Sequence, residues 1–180
     1  LLLNTDMPIY LIAEQLGYFK AEGLDVEISD FAGGARALQA VVGGSADVVS
    51  GAYEHTINLQ NKGQMFQAFV LQGRAPQIAL GISNKTLPHY KTVADLKGKK
   101  IGVTAPGSST NMMANLVLAR AGLKASDVSF IGVGTSAGAL TALRSGQIDA
   151  ICNIDPVMTM LEQKGDVRVV FDTRTLKGTR

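Results

Sequence analysis

The sequence predicts an α/β protein of two βαβαβ lobes with parallel-rich sheets, incomplete at its C-terminus. Three observations carry this. The chain repeats itself at a constant spacing: Ala37-Leu38-Gln39-Ala40-Val41 answers Ala139-Leu140-Thr141-Ala142-Leu143, Gly44 answers Gly146, and Asp47 answers Asp149. Upstream in the same register, Asp25-Val26 answers Asp127-Val128. Within each copy short apolar runs alternate with helical periodicity, the pattern of parallel strands covered on both faces. With 180 residues, 46% of them hydrophobic and 18% charged, there is enough apolar surface to build a core and exclude disorder.

In the first copy, residues 1–4 read as a strand fragment. Residues 9–22 follow as a helix whose apolar face is Leu11, Ile12, Leu16 and Phe19, and Gly23 terminates it. Residues 26–31 read as a strand, 35–42 as a short helix and 47–50 as a third strand. In the second copy, 100–104 is a strand and 109–121 a helix closed by Gly122. A strand over 128–133, a helix over 137–145 and a strand over 150–154 follow. Between the copies, 65–70 and 77–82 look β-like, separated by Gly73-Arg74-Ala75-Pro76. The polar, turn-rich stretch 84–96, with Pro88, is the expected crossing between lobes. The expected division is a first lobe over 1–84 and a second over 85–180.

Several function classes are excluded by charge and composition. Seventeen Lys and Arg against fifteen Asp and Glu give a net charge of +2, and no basic run exceeds Lys99-Lys100. A nucleic-acid partner is therefore not expected. The single Cys152 forms no internal disulfide, no metal-ligand spacing occurs, and no cofactor motif stands intact. No apolar stretch reaches the ~20 residues of a membrane helix. The opening Leu1-Leu2-Leu3, inside an apolar run and without an initiator Met, reads as a removed signal peptide or a trimmed start.

Ligands of open α/β sheets bind beyond the carboxyl ends of the strands, so those ends are the candidate site. The first lobe presents Thr5, Asp6 and Met7, then Gly33 and Gly34, then Ser50, Gly51 and Tyr53. The second presents Pro106, Gly107, Ser108, Ser109 and Thr110, then Gly134, Thr135 and Ser136, then Asn153 and Asp155. The set is rich in glycines, hydroxyls and amides. Ser108 and Ser109 open a helix, where free N–H groups and the dipole suit an anion, or they form an ordinary N-cap. Gly33-Gly34 is the first-lobe counterpart, or a tight βα turn. Tyr53 lies against a ligand or covers a sheet edge. Arg74 pairs with a ligand acid or stays a solvated loop residue. Asp155 meets a ligand amine or caps the helix 157–163. Asp47 and Asp149, equivalent by the repeat, read as structural, and Cys152 as inert packing.

Three catalytic or nucleotide motifs are incomplete. Gly134-Thr135-Ser136-Ala137-Gly138 matches a nucleophile elbow, but the only histidines, His55 and His89, both precede Ser136, against the required order. Gly132, Gly134 and Gly138 approximate a dinucleotide fingerprint, with Asp155 as the ribose acid, yet the third glycine falls one place late. Gly102 to Gly107 has phosphate-loop spacing, with Ser108 where Lys is required.

The motifs then take on a family likeness. Leu16-Gly17-Tyr18-Phe19-Lys20-Ala21-Glu22-Gly23-Leu24-Asp25-Val26-Glu27 resembles the GYFxxEGLDVE signature of solute-binding proteins from the nitrate/sulfonate/taurine class of ABC importers. Gly43-Gly44-Ser45-Ala46-Asp47-Val48 resembles its GxxDV step, and Asp95-Leu96-Lys97-Gly98-Lys99-Lys100-Ile101-Gly102-Val103 its DLKGKxIGV entry to the second lobe. Gly146-Gln147-Ile148-Asp149-Ala150 and Asp155-Pro156 fall where the family has them. The resemblance implies a type II periplasmic-binding fold that closes by hinge motion on a small-molecule ligand. That ligand would be a sulfonate, nitrate, an aromatic acid or a pyrimidine precursor of thiamine. It further implies that Asp6–Met7, Gly33–Gly34, Ser50–Tyr53, Ser108–Thr110 and Asn153–Asp155 line the pocket. The implied partner is the membrane permease of the importer. The implied state is a monomer without enzymatic activity, periplasmic or extracellular after signal-peptide removal. The family continues well past position 180. Thiamine-pyrimidine synthases resemble it too, but carry a cysteine-rich run absent here. Effector domains of LysR-type regulators share the fold but follow a helix-turn-helix. An enzyme on this scaffold, a dinucleotide-binding enzyme and such an effector domain are the alternatives.

Overall fold

The computed structural model describes residues 2–4, 8–31, 33–73 and 75–179. The chain divides into two compact units, Leu1–Ala68 and Phe69–Arg180.

In the first unit, β1 (Leu2–Asn4) and β2 (Ser29–Phe31) pair in parallel, Leu2 opposite Ser29 and Asn4 opposite Phe31. The single helix expected over 9–22 is two pieces, α1 (Pro8–Gln15) and α2 (Tyr18–Ala21). Gly17 separates them at φ 73°, a left-handed conformation that a continuing α-helix cannot hold. The stripe expected to pack is open instead: Leu11, Ile12 and Leu16 are all exposed, Leu16 at 59%. Helix α3 (Gly34–Val42) buries Ala37 completely, and α4 (Glu54–Gln60) buries His55 and Leu59. The third strand expected over 47–50 shrinks to one bridge at Val49. The run 65–70 forms no strand. Phe69, Val70 and Leu71 are consecutive, so no pleat buries all three on one face, and Met65 and Phe69 are each 76% exposed.

The second unit holds a five-stranded sheet in the order β5-β4-β6-β3-β7. Strands β4 (Lys100–Val103), β5 (Ser129–Gly132) and β6 (Ala150–Ile154) are mutually parallel with β4 between the other two. They are connected through α5 (Ser109–Arg120) and α6 (Ala137–Ser145), so this copy is a complete βαβαβ. Strand β3 (Ile78–Ser83) runs antiparallel to both β6 and β7 (Val167–Asp172). The expected boundary at 84 placed β3 in the first lobe, whereas it is an interior strand of this second sheet. All six of its residues are buried, as an apolar run flanked on both sides requires. Strand β7 was not foreseen, and α7 (Val157–Gln163) packs against it and β6.

The core lies on the two faces of this sheet and follows the two-residue period of the strands. Ile78, Leu80 and Ile82 of β3 join Ile101, Val103, Leu118 and Cys152 on one face. Ala79 and Ile151 join Leu143, Ile148, Met158 and Leu161 on the other. Gly102 exists because the layers touch there: a Cβ would stand 2.5 Å from Ile148 Cδ1. Asp149 takes the structural role foreseen for it. Its Oδ2 accepts the Lys100 N–H at 3.0 Å and so fixes the start of β4 beside β6.

Candidate functional site

Because β4, β5 and β6 are parallel, their carboxyl ends share one edge of the second unit's sheet. The chain leaving β4 turns into α5 through a web of hydroxyls. Ser108 is the N-cap, its Oγ accepting the Asn111 N–H at 3.3 Å. The same oxygen meets Thr110 Oγ1 at 2.8 Å. Thr110 Oγ1 also accepts the Thr104 N–H at 3.0 Å and meets Thr104 Oγ1 at 3.0 Å. Thr104, Ser108 and Thr110 are all buried, so this web is internal and holds the turn in shape. Asn111 closes it, accepting the Gly107 N–H on Oδ1 at 2.9 Å.

The hydroxyls of Ser108 and Thr110 are thus committed to the loop. What remains for a ligand is the backbone. Ser109 and Thr110 are the first two residues of α5, and their N–H groups have no partner among the described residues. Two such donors at the positive end of a 12-residue helix suit an oxyanion. Ser109, half-buried, adds a hydroxyl with no bond to the web.

The other two strand ends are built more tightly. Thr135, following β5, is buried and partnered. Asn153, at 0% exposure, donates from Nδ2 to the Gly134 carbonyl at 2.9 Å and accepts the Ile154 N–H at 2.9 Å. Its Nδ2 therefore ties β6 to the turn after β5, while its Oδ1 is taken by the backbone of β6 itself. Asp155 caps α7: its Oδ1 accepts the Thr159 N–H at 2.9 Å and the Thr159 hydroxyl at 2.8 Å. Cys152 is wholly buried, and burial pushes its thiol up to about 12. Iodoacetamide at pH 8 is expected to leave Cys152 unmodified in the native chain and to alkylate it fully in denaturant, read by mass spectrometry. Native alkylation within minutes would contradict this packing.

In the first unit two of the expected loops meet. Gly33, at φ 103°, precedes α3, and a Cβ on Gly34 would stand 3.3 Å from Gly51 Cα. Gly33 is thus required by its backbone conformation, and a side chain at Gly34 would crowd the Ser50–Gly51 turn. Ser50 is buried and hydrogen-bonded to the Tyr10 side chain, whose phenol is raised above its ordinary value by burial, with the Ser50 bond opposing. His55 lies against Gly51, and burial lowers its pKa, with the charge of Glu54 opposing. Tyr53 is 67% exposed. Asp6, Met7, Thr5 and Arg74 lie outside the described residues.

Thr104, Asn111, Tyr10 and His55 belong to these two clusters and carried no site signal of their own in the sequence. Asn111 was the most accessible: it stands at the third helical position after Ser108, where a capping box places its reciprocal partner.

A model of the family described as NMT1/THI5 like matches residues 4–178. A solved structure from Bordetella bronchiseptica RB50 is 67% identical, with a TM-score of 0.94 over 99% of this chain and 57% of that one. The alkanesulfonate-binding protein of Xanthomonas axonopodis pv. citri, solved bound to MOPS, is 25% identical with a TM-score of 0.77, over 99% of this chain and 61% of that one. A protein of Brucella abortus (strain 2308) named as a binding protein is 33% identical over 147 residues, 79% of this chain and 42% of its own length. The chain thus spans roughly half the length of the relatives it matches.

Proposed function

The chain belongs to the NMT1/THI5-like family, and from that premise we propose that it is the substrate-binding part of an ABC importer for a small organic anion, an alkanesulfonate above all. Its α/β architecture is that of the type II periplasmic-binding proteins. The observation that carries the proposal is the pair of N–H groups of Ser109 and Thr110, without a partner among the described residues, at the carboxyl edge of a parallel sheet. A sulfonate oxygen satisfies both donors, and its charge gains from the helix dipole. A ligand lacking such an oxygen leaves them unpaired when water is expelled, and that penalty gives selectivity. The likeness to an alkanesulfonate-binding protein supports the sulfonate class over nitrate or an aromatic acid.

The proposed cycle is capture of the ligand, hinge closure on it, and delivery to a membrane permease. Turnover is not part of it. The Ser108 and Thr110 hydroxyls are engaged with each other and with backbone N–H groups.

Thermal shifts against 1-propanesulfonate, nitrate, benzoate, an aminopyrimidine and NAD test this reading. Ligand at ~100 times Kd adds about 2.7 kcal/mol, which is roughly 5–10 °C at this size. The expected result is a shift with the sulfonate and none with NAD. A shift with NAD alone would sink the proposal.

A further inference from the structure

The same sheet edge carries three carboxylates, and one guanidinium governs them all. Strand β7 runs parallel to β6, both being antiparallel to β3, so Asp172 at the end of β7 and Asp155 after β6 lie at the edge where α5 begins. Glu162 on α7 is the third acid. Arg174 takes Asp172 with Nε at 3.0 Å and Nη2 at 2.9 Å. It takes Glu162 with Nη1 at 2.8 Å and Nη2 at 3.2 Å, and reaches Asp155 Oδ1 with Nη1 at 3.3 Å. Two of the three pairs are therefore two-pronged, the geometry in which arginine binds carboxylates most firmly. The Arg174 side chain is only 18% exposed, whereas Asp155 is 47% exposed.

Asp155 is the one acid of the expected ligand set that lies among the described residues, and although Thr159 occupies its Oδ1, Arg174 alone reaches its Oδ2 among the described residues. Its Oδ1 is spent on Thr159 and Arg174, and Arg174 also reaches Oδ2 at 3.5 Å. The Asp172 carboxyl is held below its ordinary value, first by its bond to Arg174. Arg174 is in turn held protonated by Asp172 and then Glu162.

Resting on the alkanesulfonate reading, we propose that Arg174 is a specificity-determining residue: by gathering Asp155, Glu162 and Asp172, it withholds Asp155 from the ligand and selects sulfonates that carry no ammonium group. The guanidinium works through the acids and touches no ligand. Without it three carboxylates lose their shared cation beside that edge, which repels a simple anion and offers a partner to a ligand's ammonium.

Two isosteric ligands separate these effects. 1-Propanesulfonate and taurine match in length and sulfonate, and differ by a terminal methyl against an ammonium. Calorimetric titration of the chain with each, in wild type and in Arg174→Gln, gives a ratio of affinities that a loss of stability alone does not move. Wild type is expected to favour propanesulfonate, and Arg174→Gln to shift the ratio toward taurine about tenfold, the size of one charge acting across a few strand spacings. Circular dichroism verifies that the variant folds. If it does not fold, the wild-type ratio decides, and taurine bound as tightly as propanesulfonate overturns the proposal. Propanesulfonate binding with an unchanged ratio in a folded variant overturns the role of Arg174 and leaves the sulfonate reading standing. Wild-type silence toward both ligands overturns the sulfonate reading and this inference with it.

Discussion

Thr110→Val is expected to lower the stability of the chain by about 2–4 kcal/mol, among the larger effects a near-isosteric change can have. Valine keeps the shape and the β-branch but has no acceptor for the Thr104 N–H and no hydroxyl for Thr104 Oγ1 or Ser108 Oγ. All three partners are buried, so water does not replace what is lost. The web also holds the first turn of α5 in the shape that leaves the Ser109 and Thr110 N–H groups free. Weakened sulfonate binding is therefore expected alongside the lost stability. Urea denaturation, with the midpoint falling at unchanged slope, measures the first effect, and calorimetric titration the second. A stability loss well under 1 kcal/mol would mean that the hydroxyl web does not brace the turn.

The second copy was legible in the sequence almost residue by residue, and the reasons are local. Helix α6 and strand β6 run where expected because Gly146 takes the left-handed conformation that ends a helix, φ 81°, and the apolar run that follows is short and bounded by Asp155-Pro156. The first copy carries equivalent motifs but less of their structure. Gly17 lies inside an apparent helical period and breaks it, and the run after Asp47 pairs at Val49 alone. Strand β7 escaped notice because Val167-Arg168-Val169-Val170-Phe171 follows a helix directly, and its place beside β3 is a tertiary fact.

The site shows the same divide. That strand ends would supply glycines, hydroxyls and amides follows from topology and composition. Which of those groups remain free does not, because it depends on partners distant in sequence. Asn153 and Thr110 look alike as candidate ligand contacts until their bonds to Gly134 and Thr104 are seen. Arg174, far from every motif, acquires its three acids only when β7 and α7 pack together.

Ser109→Pro isolates the donor on which the functional proposal rests. Ser109 is the first helical residue, where proline is favoured because the N–H it lacks has no intrahelical partner. Ser108 before it sits at φ −74°, ψ 167°, an extended conformation that a following proline requires. Folding stability is therefore expected to change by less than about 1 kcal/mol. Ligand affinity is another matter, since the substitution removes one charge-assisted hydrogen bond together with the Ser109 hydroxyl. Such a bond contributes about 1.5–3 kcal/mol, so the Kd for 1-propanesulfonate is expected to rise by one to two orders of magnitude. Ser109→Ala, which keeps the N–H and loses only the hydroxyl, separates the two contributions and is expected to weaken binding far less. A Ser109→Pro variant that folds as wild type and binds sulfonate as tightly would remove the helix start of α5 from the site.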